Sequence, residues 1–285
     1  MASIMHSIRT KGFVNTIRRI GMISFRYSFN GFLKSFNTII EVLEDHDANA
    51  TFPITAITLK RNIDEIKNIN SKSIEWAMHG YVHKDYAKLE KDEILNHIIK
   101  GKKIFNDANI DVAGFRAPYL SINKKMISIL SKAGFIYDSS KCYFVEVIPS
   151  NLKNIKIILD YYKPIKRWMI NDYNGMREIP VCFPDDEMLV DRLKFKGEKI
   201  GKIWIKMCQK MKNSGGIPVL ALHPERGRIC KIGLEMVLDW ARKNDMSLKF
   251  LKEIAIGKYE KGKVMALTGD IDIIKISDFK YMKKG

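Results

Sequence analysis

Two histidines four positions apart, His79 and His83, are the residues of this chain whose types and spacing point most directly to chemistry. Imidazole nitrogens are good ligands for a divalent cation, and two of them at this spacing converge on one ion if the backbone makes a single helical turn. Alone, such a pair also fits the lining of a surface turn. The elements around it have to decide.

Ile74–Met78 reads as a short buried strand that delivers the pair at its C-terminal end. Before it, residues 49–55 read as a strand and 59–69 as a helix. After it, 91–106 has the period of an exposed helix with Ile94, Leu95, Ile98, Ile99 and Phe105 on its apolar side. The alternation continues through a strand at 112–116, a helix at 124–133 closing on Gly134, strands at 135–137 and 178–183, and a helix at 200–213. A strand at 217–222, a helix at 232–242 and a strand at 247–251 complete it. Repeated βα units build a parallel sheet or barrel. The polar residues fall at the C-terminal ends of these strands: His79 and His83, Arg116 with Tyr119, Asp138, Asp185 with Asp186, and His223 with Glu225. In an α/β barrel those ends share one face, so they can form one site.

The chain has 285 residues, 46% hydrophobic and 28% charged, as expected of an ordinary globular protein. No apolar run reaches the roughly 20 residues of a membrane helix. Arg9, Lys11, Arg18 and Arg19 interrupt any signal-peptide core, so a cytoplasmic location is expected. Cys142, Cys182, Cys208 and Cys230 are scattered and read as buried free thiols. The net charge of +17 favours an anionic neighbour such as an acidic glycan or a membrane surface. No nucleic-acid-binding motif accompanies that charge, and nucleic acid is set aside. Three segments follow: a basic lead-in at 1–23, a barrel-like domain at 24–257, and an appendage at 258–285 with the pattern of a β-hairpin. Residues 141–175 are the least regular and could shape a substrate groove.

Several stretches together resemble the polysaccharide deacetylase family, the NodB-homology domain. They are Ala50-Thr51-Phe52-Pro53-Ile54-Thr55, His79-Gly80-Tyr81-Val82-His83, Phe115-Arg116-Ala117-Pro118-Tyr119, Gly134-Phe135-Ile136-Tyr137-Asp138-Ser139-Ser140 and Leu220-Ala221-Leu222-His223-Pro224-Glu225. The resemblance implies a distorted (β/α) barrel and a divalent metal, usually zinc, that helps remove an acyl group from an amide nitrogen, commonly N-acetyl on a sugar. It also implies that His79 and His83 bind the metal and that His223 is the general acid. Arg116 would hold a carboxylate, and a backbone N–H near Tyr119 would stabilise the oxyanion.

One departure stands out. The family's pair of aspartates near the start of the domain, a metal ligand and the catalytic base, has no counterpart in Phe25-Arg26-Tyr27-Ser28-Phe29-Asn30-Gly31. Three readings stay open. Asp185 or Asp186 supplies the base from elsewhere on the rim, with Glu225 and Asp138 as further candidates; or the fold has become a non-catalytic carbohydrate-binding protein; or the histidines only support a polar network. The working expectation is a metal-dependent deacetylase with Asp185 or Asp186 as base. A polyanion- or membrane-surface-binding module is the alternative that rests on charge.

Overall fold

The computed structural model describes residues 29–69, 71–148 and 159–282. The expected lead-in at 1–23 lies outside them. Helix α1 (Phe29–Asp45) buries Phe32, Phe36, Ile39, Val42 and Leu43 along one stripe, as their three- and four-residue spacing requires. Strand β1 (Ala50–Ile54) is buried at every position, the mark of a parallel strand covered on both faces. Two short helices follow, α2 (Ala56–Arg61) and α3 (Ile63–Asn68), where the spacing suggested one. The break is at Asn62, whose amide donates to the Thr58 carbonyl (2.9 Å) and to Asp278 (3.1 Å) and so competes with the helix backbone.

Strand β2 (Ile74–Met78) leads to the histidines, and α4 (Lys91–Asp107) to β3 (Gly114–Phe115). Helix α5 (Lys124–Lys132) precedes β4 (Tyr137–Asp138) and β5 (Cys142–Phe144). Strands β6 (Asn171–Tyr173), β7 (Met176–Glu178) and β8 (Val181–Phe183) come next. The single strand expected at 178–183 is thus two, parted at Pro180, which lacks the N–H that a continuous ladder needs. Helix α6 (Glu198–Asn213), β9 (Val219–Ala221), α7 (Gly227–Lys243), β10 (Ser247–Leu248), α8 (Leu251–Ala255) and β11 (Val264–Thr268) follow, with short helical turns between and after them.

The strands form one curled sheet in the order β5-β8-β9-β11-β1-β2-β3-β4-β7-β6, with β10 beside β11. All pairings are parallel except β6 with β7. This is the distorted barrel-like α/β architecture the strand–helix alternation calls for.

The end of the chain differs from the expectation of a hairpin appendage. β11 is a central strand, pairing in parallel with β1 on one side (Ala50↔Leu267) and β9 on the other (Leu220↔Leu267). All five of its residues are buried. A hairpin on a surface alternates apolar and polar positions; the run Val264-Met265-Ala266-Leu267 does not, which suits the middle of a parallel sheet. No described helix is long and apolar enough to cross a membrane.

Candidate active site

The two histidines sit in the loop that leaves β2. It is not a helical turn: Gly80 lies at φ +77°, and a Cβ there would meet the Tyr86 ring at 2.7 Å. The Gly80 and Tyr81 carbonyls accept from the Ala56 (2.9 Å) and Ile57 (3.0 Å) amides, satisfying donors in the first turn of α2. Tyr86 Oη accepts from the Tyr81 amide at 2.6 Å. These contacts hold the loop so that the His79 and His83 rings lie 5.3 Å apart.

The segment after β11 completes the group. Thr268 is followed by Gly269, where a Cβ would lie 1.8 Å from the Leu222 carbonyl oxygen, so only glycine lets the chain pass β9 so closely. Asp270, Ile271 and Asp272 continue beside β1, with the Ile271 amide donating to the Pro53 carbonyl at 2.8 Å. Two-residue periodicity then sends Asp270 and Asp272 to one side and buries Ile271 on the other. Asp272 reaches both histidines: Oδ1 is 3.3 Å from His79 Nε2 and Oδ2 is 3.3 Å from His83 Nε2. Asp270 Oδ2 lies 3.8 Å from His79 Nε2, and its Oδ1 accepts from Arg116 Nη1 at 2.9 Å.

The protonation of His79 can be read from its other nitrogen. Nδ1 is 3.0 Å from the Arg116 carbonyl oxygen, which can only accept, so Nδ1 carries the hydrogen. In neutral His79 the lone pair on Nε2 therefore faces the Asp272 carboxylate across 3.3 Å. Two acceptors so placed repel each other unless a proton or a cation lies between them. One ligand atom from each of His79, His83 and Asp272 falls within 4.8 Å of the others, so the donor set fits a single divalent ion. Burial pushes the Asp272 carboxyl up, but His83 and His79 beside it more than reverse this and hold it well below the usual carboxylate range. Asp270 is lowered in the same way, burial being outweighed by Arg116 and His79.

Asp185, Asp186 and His223 form a second trio on the same face. Two of its members, Asp186 and His223, already satisfy each other. Asp186 Oδ1 lies 2.5 Å from His223 Nδ1, and Oδ2 accepts from the His223 amide at 2.8 Å. Asp185 Oδ1 accepts from the Met188 amide at 2.8 Å, at the start of the helical turn Glu187–Arg192. Desolvation would lower the His223 pKa, yet Asp186 raises it well above the ordinary imidazole value. The Asp185 carboxyl is pushed up to about 7 by burial and by Asp186. The other carboxylates named from sequence have structural partners. Glu225 Oε1 accepts from Arg226 Nη1 at 2.5 Å, and buried Asp138 accepts from the amide and the hydroxyl of Ser140.

A cavity of about 590 Å³ joins these groups, lined among others by His79, His83, Arg116, Tyr119, His223 and Asp272. Arg116 is fixed from three sides: Nε donates to the Ser139 carbonyl (2.7 Å), Nη2 to the Ser139 hydroxyl (2.9 Å), and Nη1 to Asp270. The Tyr119 ring packs edge-on against His83 at 4.4 Å. Tyr119 has φ +61°, and its amide hydrogen-bonds to no described residue. The structure thus gathers His79, His83, Arg116, Tyr119, His223 and Asp185 around one cavity, with Asp186 buried against His223 and not lining it. Asp270 and Asp272, beside the histidines, are the residues that the sequence reading missed.

The polysaccharide deacetylase family model matches residues 30–137, a stretch that holds His79, His83 and Arg116 and ends before His223, Asp270 and Asp272. A bifunctional xylanase/deacetylase of Pseudobutyrivibrio xylanivorans is 33% identical over 90 residues, covering 31% of this chain and 15% of that protein. The chain therefore spans only a small part of that relative's length. A Mycobacterium smegmatis protein assigned to the polysaccharide deacetylases has a solved structure that superposes with a TM-score of 0.62 at 19% identity, over 90% of this chain and 86% of that one. Over residues 30–137 this chain thus matches the polysaccharide deacetylases, and its fold is shared with a solved structure assigned to them. A CE4-family pseudoenzyme from Bacillus anthracis also shares the fold, with a TM-score of 0.52 at 16% identity, over 85% of this chain and 64% of that one. Asp270 and Asp272, the aspartates beside the two histidines, follow β11 and lie outside the matched stretch.

Proposed function

We propose that the protein is a metal-dependent hydrolase that removes an N-acyl group, N-acetyl first among them, from a carbohydrate amide. The observation that carries this reading is the Asp272 carboxylate facing the nitrogens of both His79 and His83 at 3.3 Å, with the His79 tautomer set by the Arg116 carbonyl. A divalent cation of the zinc type held by these three side chains would polarise the amide carbonyl and make water a better nucleophile.

The remaining steps belong to the chain's own groups. Asp270, kept ionised by Arg116, takes the proton of the attacking water. It replaces Asp185 and Asp186 in that role, because they are engaged with Met188 and His223. The Tyr119 amide donates to the oxygen that gains charge as the carbonyl is attacked. His223, held as imidazolium by Asp186, gives its proton to the departing amine nitrogen, so the C–N bond breaks without expelling an amide anion.

Two measurements test this reading. Protein loaded with Zn²⁺ and desalted should hold close to one equivalent, and His79→Ala or Asp272→Ala should hold almost none. The loaded protein should release acetate from N-acetylglucosamine oligomers. Metal content that ignores both substitutions removes the metal site from the proposal. Metal bound at these residues without acetate release from any N-acetylated sugar would favour a binding protein on the deacetylase fold.

A further inference from the structure

A second hollow of about 470 Å³ adjoins the catalytic cavity, and Tyr119, Leu120, Tyr161 and Tyr162 line both. The character of the walls changes across this partition. The catalytic side carries the carboxylates Asp270 and Asp272. The far side carries Lys88, Lys141 and Lys163 against a single lining carboxylate, Asp85. Lys88 meets Asp85 at 2.9 Å, while Lys141 lies 4.0 Å from Glu178. Lys141 Nζ also donates to the Tyr173 hydroxyl at 3.0 Å.

Tyr119 and Leu120 both have positive φ, +61° and +54°. Two consecutive non-glycine residues in the left-handed region are costly and persist only where packing imposes them, commonly at ligand sites. Tyr161 is 60% exposed, which is unusual for so large an aromatic ring. It is nevertheless propped: its ring stands at 89° to Tyr162, 5.0 Å away, and Tyr162 packs on Phe183 of β8 at 4.9 Å. An exposed aromatic ring backed by a half-buried one is a ready surface for the C–H face of a pyranose ring.

We infer that this hollow binds the sugar next to the N-acylated one, and that this neighbouring sugar is a uronic acid. The inference rests on the deacetylase reading for the identity of the adjoining cavity. Tyr161 receives the ring; the lysines receive a carboxylate attached directly to it. The arrangement also gives the net charge of +17 a local use, since a polyanionic glycan would be drawn to this face.

The test compares two tetrasaccharides, the neutral N-acetylglucosamine tetramer and an alternating glucuronate–N-acetylglucosamine chain, by calorimetric binding to the Zn²⁺-loaded protein. At low salt the acidic chain should bind about fivefold tighter or more, and the ratio should shrink as salt is raised. In the double variant Lys88→Gln/Lys163→Gln the ratio should fall towards one; because it is a ratio on one preparation, it does not depend on how much protein is folded. Tyr161→Ala should weaken both ligands and keep the ratio. Equal affinities in the unaltered protein, or a preference that survives the double variant, overturns the inference. Inorganic phosphate competing as strongly as glucuronate would overturn the uronate assignment. Acetate release from the same tetramers separates the two claims. Release without acid preference sinks only the neighbouring-sugar site, and acid preference without release sinks only the deacetylase reading.

Discussion

At the scale of single residues, the proposed function gives the two aspartates after β11 separable roles, and their variants should show it. Asp270→Asn should keep bound Zn²⁺ and lose about a hundredfold or more in kcat, because a base is lost and no ligand. Asp272→Asn should instead lose the metal itself. If both variants lose metal alike, Asp270 belongs among the ligands.

His223 makes a prediction about pH. Asp186 raises its pKa, so in the native protein the imidazolium persists as pH rises past the ordinary imidazole value. Asp186→Asn withdraws that support, the pKa falls, and the alkaline limb of the kcat profile moves to lower pH. An unmoved limb would show that another group is the acid. For stability the sign follows the same shift. The bond to Asp186 contributes fully below the unfolded His pKa and is lost as pH rises through the folded one.

His79, His83, Arg116 and His223 were legible from sequence because each closes a short motif at a strand end. Asp270 and Asp272 were not, since the search for carboxylates began at the start of the domain. Yet a signal was there. Four apolar residues in a row, Val264 to Leu267, followed by Thr-Gly-Asp-x-Asp, match a buried parallel strand ending in two carboxylates on one side.

At the scale of elements, the decisive contact is that of β11 with β9. Gly269→Ala would drive a Cβ into the Leu222 carbonyl, 1.8 Å away, and backbone must shift to admit it. A loss of about 2–3 kcal/mol is expected, from overpacking. Acetate release should fall further than stability, because Asp270 and Asp272 move with the strand end. A variant with unaltered melting temperature would contradict the close approach.

Elements also explain what the periodic pattern could not resolve. One helix became α2 and α3 because Asn62 is tied to Asp278, more than two hundred residues away. Contacts so distant leave no trace in a local window.

At the scale of the whole molecule, the C-terminal segment behaves as a clasp. Buried Asp278 accepts from Arg61 Nε at 2.9 Å, from Asn62, and from the Ile274 and Lys275 amides. Beyond it, the Met282 carbonyl accepts from the His83 amide at 2.7 Å. Asp278→Ala strands several buried donors and should cost about 3 kcal/mol. Thermal unfolding would measure that cost, and reduced Zn²⁺ affinity should accompany it because Asp272 lies on the released segment.

The position of β11 also governs the order in which this molecule can be made. β1 and β9 are translated long before the strand that joins them, and until residue 268 has emerged each presents an unpaired parallel edge. The sheet therefore closes last at its centre, and the same late event brings Asp270 and Asp272 to His79. If His79, His83 and Asp272 hold a metal as proposed, a nascent chain halted before that point would carry both histidines and no third ligand, and metal affinity would report that synthesis has passed β11. Refolding should show the same sequence of events, with peripheral helices forming early and metal capture coinciding with the slow, long-range closure of the sheet.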